Sequence, residues 1–107
     1  MSCQIVFTDT AKTDLREITI SLAELTKDRD LTIRFVQGLR KATEILKEFS
    51  ESGSIPRDRV LKSNGFRFLT CKDYLIFYLY EKEANTVYIM AVFNGKRDYM
   101  RVMKKFL

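Results

Sequence analysis

Apolar positions recur along this chain with two different periods, and the change of period divides it. Residues 3–7, Cys-Gln-Ile-Val-Phe, are short and β-prone and predict a first strand. Thr8 or Asp9 follows as a helix cap, since a short side-chain oxygen satisfies amide donors that lack a partner in the first turn. Ala11, Leu15, Ile18, Leu22 and Leu25 then come at spacings of four and three, which is one apolar helix face. Lys27, Asp28, Arg29 and Asp30 interrupt the pattern. Leu31, Phe35, Leu39, Ala42, Leu46 and Phe49 resume it as a second helix. Two amphipathic helices joined by a tight polar turn make a helical hairpin, and the stripe on each must lie on something apolar.

Residues 50–65 are the only long break, punctuated by Gly53 and Pro56, and read as a loop. Beyond it the period shortens. Residues 66–71 alternate, with Phe66 and Phe68 on one side and Arg67 and Leu69 on the other, and Lys72-Asp73 is a two-residue turn. Residues 74–80 are apolar throughout, as a central strand covered on both faces requires. Residues 81–85 turn the chain and residues 87–93 supply the partner strand. From Asp98 onward a short last helix places Tyr99, Val102 and Met103 on one side. The order is β-α-α-β-β-β with a C-terminal helix. Strands that follow a helical hairpin indicate an α+β domain, an antiparallel sheet with the hairpin on one face.

The chain's 107 residues allow one domain, spanning 1–107, with a small core. Neither apolar run approaches the roughly 20 residues of a membrane span. Charged residues follow the first strand closely, so no signal-peptide apolar region is present and a cytoplasmic location is expected. Cys3 and Cys71 read as free thiols in strands, in keeping with a reducing compartment.

Histidine is absent. That excludes Ser-His-Asp and Cys-His nucleophile systems and removes the commonest zinc ligand; two cysteines alone make no structural zinc site. No metal and no cofactor is expected, and acid–base chemistry would fall to Arg, Lys, Tyr or carboxylates.

Charge is unevenly spread. Residues 1–54 hold eight basic and nine acidic side chains, whereas residues 55–107 hold eleven and five. The basic half carries Arg57, Arg59 and Lys62 in the loop, Arg67 in the strand after it, and Lys96, Arg97, Arg101, Lys104 and Lys105 around the last helix. All of these but Lys105 form the candidate surface for a target or partner, since a one-sided excess concentrates anions and speeds association.

Five stretches resemble the RelE/ParE superfamily of toxins from type II toxin–antitoxin modules. They are residues 7–18 (FTDTAKTDLREI), 49–53 (FSESG), 65–67 (GFR), 74–78 (YLIFY) and 92–99 (VFNGKRDY), in the family's order over almost the whole chain. The resemblance implies a compact toxin, inhibitory to growth and often linked to plasmid stabilisation. A cognate antitoxin, usually encoded beside it, neutralises the toxin by wrapping an acidic, partly disordered segment over it. Coupled folding of that kind costs ordering entropy and needs charge and apolar anchors together.

The superfamily divides by target. RelE-like members cut mRNA in the ribosomal A site; ParE-like members act on DNA gyrase without known nuclease chemistry. RelE-like toxins commonly carry an arginine just after the tyrosine that opens the third strand, where this chain has Leu75. They also tend to place a tyrosine or histidine in the final helix, and the comparable residues here are Val102 and Met103. Arg97 matches a basic position shared by both branches, and Arg67 an arginine common in ParE-like sequences. The pattern favours a ParE-like toxin that blocks a target such as gyrase by binding, with that basic surface serving the target or the antitoxin.

The alternative is a ribosome-dependent mRNA endonuclease. Attack by the RNA's own 2′-hydroxyl needs a base, positive charge on the phosphorane and an acid for the leaving oxygen. Lys96 or Tyr99 would have to move the protons, and Arg67 and Arg97 would stabilise the transition state by bidentate contact. That requires these four residues to share one rim. A third class is a non-toxic relative that binds only an antitoxin or DNA.

Overall fold

The computed structural model describes residues 2–107. Strand β1 (Gln4–Phe7) leads into helix α1 (Asp9–Thr26), capped by Thr8, whose side chain accepts from the Ala11 amide. Lys27 ends α1 in the left-handed conformation, and Asp28 caps helix α2 (Arg29–Ala42) by accepting from the Leu31 amide. The predicted second helix ran on to Phe49. Instead α2 gives way to a 3₁₀ segment, Thr43–Lys47, where the Thr43 hydroxyl donates to the Arg40 carbonyl at 2.6 Å. A hydroxyl bonded back into the preceding turn competes with the helical ladder. The stripe ends at Leu46, which is fully buried, and Phe49 stays 63% exposed.

Residues 50–65 are not a plain loop. Ser54 bridges Phe68, and a short helix α3 (Arg59–Ser63) follows, capped by Asp58 and seated by the buried Leu61. One turn of helix is too short to display a period, so hydrophobic spacing gives no sign of it. Strands β2 (Arg67–Cys71), β3 (Tyr74–Glu81) and β4 (Thr86–Asn94) come next, and helix α4 (Tyr99–Met103) passes into a 3₁₀ turn, Lys104–Phe106.

The sheet order is β1-β4-β3-β2. β2, β3 and β4 form the expected antiparallel meander, and β1 joins β4 in parallel. The central β3 is covered on both sides. Ile76 and Tyr78 meet Ala11, Leu15, Leu39 and Leu46 of the helical hairpin side. On the opposite face Phe77 joins Leu61, Phe66, Phe93 and Met103. The α+β architecture with the hairpin on one face therefore stands, and α3 and α4 close the face that the sequence left open.

A bulge controls which face each residue of β4 sees. Phe77 pairs with Ala91 and Tyr78 with Ile89, so Met90 is an extra residue in β4. Val87 and Ile89 face the hairpin; beyond Met90 the alternation inverts, so that Val92 faces it while Ala91 and Phe93 turn to the second layer. Among the described residues no helix is long and apolar enough to cross a membrane, and Cys3 and Cys71 are both free thiols.

Candidate functional site

β4 runs out into Asn94-Gly95-Lys96-Arg97-Asp98, and each residue there has a local reason for its place. The Gly95 amide donates to the Asp73 carbonyl at 2.8 Å, and a Cβ on Gly95 would stand 3.2 Å from that same oxygen. Glycine allows the tail to leave β4 hard against the β2–β3 turn. Asn94 Oδ1 accepts from the Lys96 amide and the Asn94 carbonyl from the Arg97 amide, a side-chain and backbone turn in one. Asp98 then caps α4 by accepting from the Met100 amide. Lys96 and Arg97 are left exposed at the turn. The Arg97 guanidinium lies 5.9 Å from the centre of the Phe93 ring.

Facing this turn is the first half of α1. A cleft of about 410 Å³ is lined by Asp9, Asp14 and Glu17 on one wall and by Arg97 and Lys105 on the other, over Phe93. β1 pairs with β4 only as far as Ile89, so the rest of that β4 edge has no strand beside it. Asp14 fills part of the gap, because its Oδ2 accepts from the Val92 amide at 2.9 Å. Burial raises the Asp14 carboxyl above its ordinary value of 3.8. The Val92 amide and, more weakly, the charges of Lys105 and Arg97 pull it back, while Glu17 adds to the rise. Sequence reasoning missed Asp14 as a site residue. Its signal was position: it lies three residues after Ala11 and four before Ile18, at the margin of the apolar stripe.

Arg67 belongs to a different place. It pairs with Tyr78 in the sheet, and its Nη1 donates to the Gly53 carbonyl at 3.1 Å. The Gly53 amide in turn donates to the fully buried Tyr78 hydroxyl at 2.9 Å. A Cβ on Gly53 would fall 2.6 Å from that hydroxyl, so no side chain fits there. Glu51 sits 3.9 Å from Arg67 Nη2. Burial lifts the Tyr78 phenol above its ordinary value of 10.0, against the opposing effects of the Gly53 amide and Arg67.

The expected shared rim does not form as the sequence suggested. Arg67 is level with Tyr78, while Gly95, next to Lys96, bonds to Asp73 at the other end of β3. Four residues of strand and two strand spacings set the two backbones on the order of 15 Å apart. Tyr99 is half-buried, its ring stacked 5.9 Å from that of Phe77 in the second layer. Leu75 is half-buried in the same layer. Arg57, Arg59 and Lys62 lie on and before α3, and Arg101 and Lys104 on and just after α4; all five are exposed. Lys96, Arg97, Arg101 and Lys104 are thus grouped at the C-terminal segment. Tyr74 and Tyr78 serve packing, Tyr74 meeting Phe35 edge-on at 5.6 Å.

Residues 5–99 match the model of a family described as the ParE toxin of the type II toxin–antitoxin system parDE. Solved structures share the fold. A chain of the chromosomal ParDE toxin–antitoxin system from P. aeruginosa superposes with a TM-score of 0.72 at 17% identity, covering 87% of this chain and 96% of that one. A free mutant of E. coli toxin RelE gives 0.63 at 14% identity with both chains fully covered. A chain of the toxin–antitoxin complex RelBE2 from Mycobacterium tuberculosis gives 0.59 at 20% identity, covering 88% of this chain and 99% of that one. No curated protein matches the sequence.

Proposed function

The chain belongs to the ParE toxin family of type II toxin–antitoxin systems, and we propose that it arrests growth by binding its target, with DNA gyrase as that target, and that a cognate antitoxin neutralises it in the cytoplasm. The observation that carries binding over RNA cleavage is the separation of the four groups a nuclease would need. Arg67 is tied to the Gly53 carbonyl while Arg97 lies at the far end of the β3–β4 hairpin. A phosphorane held between them would leave one guanidinium well beyond hydrogen-bond reach. Tyr99, the candidate proton carrier, has its ring packed against Phe77. Leu75 contributes packing where a third cation would be needed.

The antitoxin reading draws on charge and on apolar grooves together. One groove of about 460 Å³ runs beside the free edge of β1, with Ile5 and Phe7 as apolar lining and Arg40, Lys41 and Lys47 among its walls. Such a groove suits an acidic segment that orders as it binds.

Two assays on one induced culture test the reading. Growth arrest with gyrase-dependent DNA breaks, and no discrete cuts by primer extension on translated mRNA, is the expected result. Codon-spaced cuts in mRNA would replace it with the endonuclease reading, and normal growth in the native host would remove both.

A further inference from the structure

The surplus charge of this chain is confined to one layer of the fold. Residues 67–94, which make β2, β3, β4 and their turns, carry three basic and three acidic side chains. The whole excess of the C-terminal half therefore sits in residues 55–66 and 95–107, with eight basic residues against two acidic. These segments form the layer opposite the helical hairpin, and they meet, the rings of Phe66 and Phe106 lying 6.2 Å apart. Both carboxylates of the layer are occupied as helix caps: Asp58 accepts from the Val60 and Leu61 amides, and Asp98 from the Met100 amide. Among the described residues none of the eight cations lies within 4.0 Å of a carboxylate. Arg59 and Lys62 stand three apart on α3. Arg101 and Lys104 stand three apart on α4 and the 3₁₀ turn that continues it, so each segment presents an exposed pair at one-turn spacing, while Arg97 and Lys105 turn toward the cleft beside α1.

We propose that this layer holds the phosphate backbone of duplex DNA. The inference rests on the toxin reading for its use, since a toxin acting at an enzyme that handles DNA would be retained there by touching the DNA as well. The cation pairs themselves favour a duplex over other polyanions. Single-stranded nucleic acid is bound by stacking bases on free aromatic faces. Here Tyr99 is stacked on Phe77, Phe106 packs on Phe66 and Phe93 is buried. An acidic protein segment needs an apolar groove as well as charge; Ile55, Val60 and Leu107 are exposed in this layer, but the grooves with apolar linings lie elsewhere, beside β1 and along the α1–α2 hairpin. A duplex asks only for cations on an outward face.

Fluorescence anisotropy of a 20-bp labelled duplex with the full chain tests this between 50 and 150 mM salt. With about five phosphate contacts the slope of log K against log salt is roughly −4 to −5, an affinity loss on the order of 100-fold over that range. The pair Arg101→Ala/Lys104→Ala, and separately Arg59→Ala/Lys62→Ala, should each weaken binding about tenfold or more and flatten the slope by about two. Lys82→Ala, in the β3–β4 turn, should change neither. Circular dichroism of each variant confirms that it is folded. Equal loss in the Lys82 variant, tighter binding of single-stranded DNA or RNA, or displacement by poly-glutamate at matched charge would overturn the proposal. Growth arrest by a chain that shows no duplex binding refutes this inference and leaves the toxin reading standing. Duplex binding without growth arrest does the reverse.

Discussion

Tyr78→Phe is the sharpest single test of how the two sides of this fold are joined. The substitution keeps the ring, which is fully buried in the core between sheet and hairpin, and removes only the oxygen. That oxygen accepts the Gly53 amide at 2.9 Å, and Gly53 is itself buried, so no water can replace it. A buried amide left without a partner costs about 1–3 kcal/mol. A domain of this size holds about 5–15 kcal/mol in all, so the loss is a large share of it. Urea unfolding should show a midpoint lowered by about 1–2 M with an unchanged m-value. In thermal unfolding the same loss is about 4–20 °C. Alkaline behaviour adds a second readout. The Tyr78 phenol titrates above its ordinary 10.0 in the folded chain, so its contribution is fully present below pH 10 and is lost as pH rises through the raised folded value. Tyr78→Phe should remove that part of the alkaline decline. Arg67→Ala acts on the same residue through the Gly53 carbonyl, and the double variant should couple by about 0.5 kcal/mol or more. A midpoint within error of the parent, or strict additivity with Arg67→Ala, would refute the reasoning.

Asp14→Asn keeps an acceptor for the Val92 amide and removes a charge that burial disfavours. Because the folded carboxyl titrates above 3.8, the parent loses stability as pH rises from there through the raised value, and the variant's advantage in chemical denaturation should grow over that window. An advantage that is flat with pH would contradict it. Arg97→Ala should weaken growth arrest on induction while leaving the melting temperature unchanged, since Arg97 is exposed; undiminished arrest would remove Arg97 from the working surface. Leu61→Ala, fully buried under α3, should cost about 2–5 kcal/mol, and Leu75→Ala, half-buried, clearly less. Equal losses in calorimetry would show the second layer to be looser than its packing implies.

The elements with several turns or several alternations were legible because their periods are long enough to read. The apolar runs of β3 and β4 and the parts of the α1 and α2 stripes around Leu15 and Leu39 appear where the spacing places them, while Leu25 and Leu31, at the α1–α2 turn, stay exposed because, among the described residues, nothing packs over that end of the hairpin. What escaped was local. The helix α3 is one turn, and only the Asp58 cap and Leu61 betray it. The end of α2 turns on one threonine hydroxyl, which no period records. The site was half legible: Lys96 and Arg97 sit together at the turn after β4, since Asn94 and Gly95 are turn residues in the sequence itself. Arg67 was misplaced because adjacency in a hairpin says nothing of register along it, and the Gly53–Tyr78 bond that fixes it spans 25 residues. Asp14 was missed for the same reason, since its partner Val92 is 78 residues away.

The extra residue in β4 reaches beyond the strand that contains it. Counting from the turn at Asn85, everything after Met90 is delivered with odd and even positions exchanged. Phe93 reaches the layer of α3 and α4 only because of that exchange, and the cationic tail follows Phe93. The same strand paired without its bulge would send Phe93 toward the helical hairpin and turn the tail's anchor away from Leu61 and Met103, whereas a chain shortened by Met90 alone would keep Phe93 where it is. The side of this molecule that carries its positive charge therefore depends on the sheet absorbing one surplus residue without passing it on.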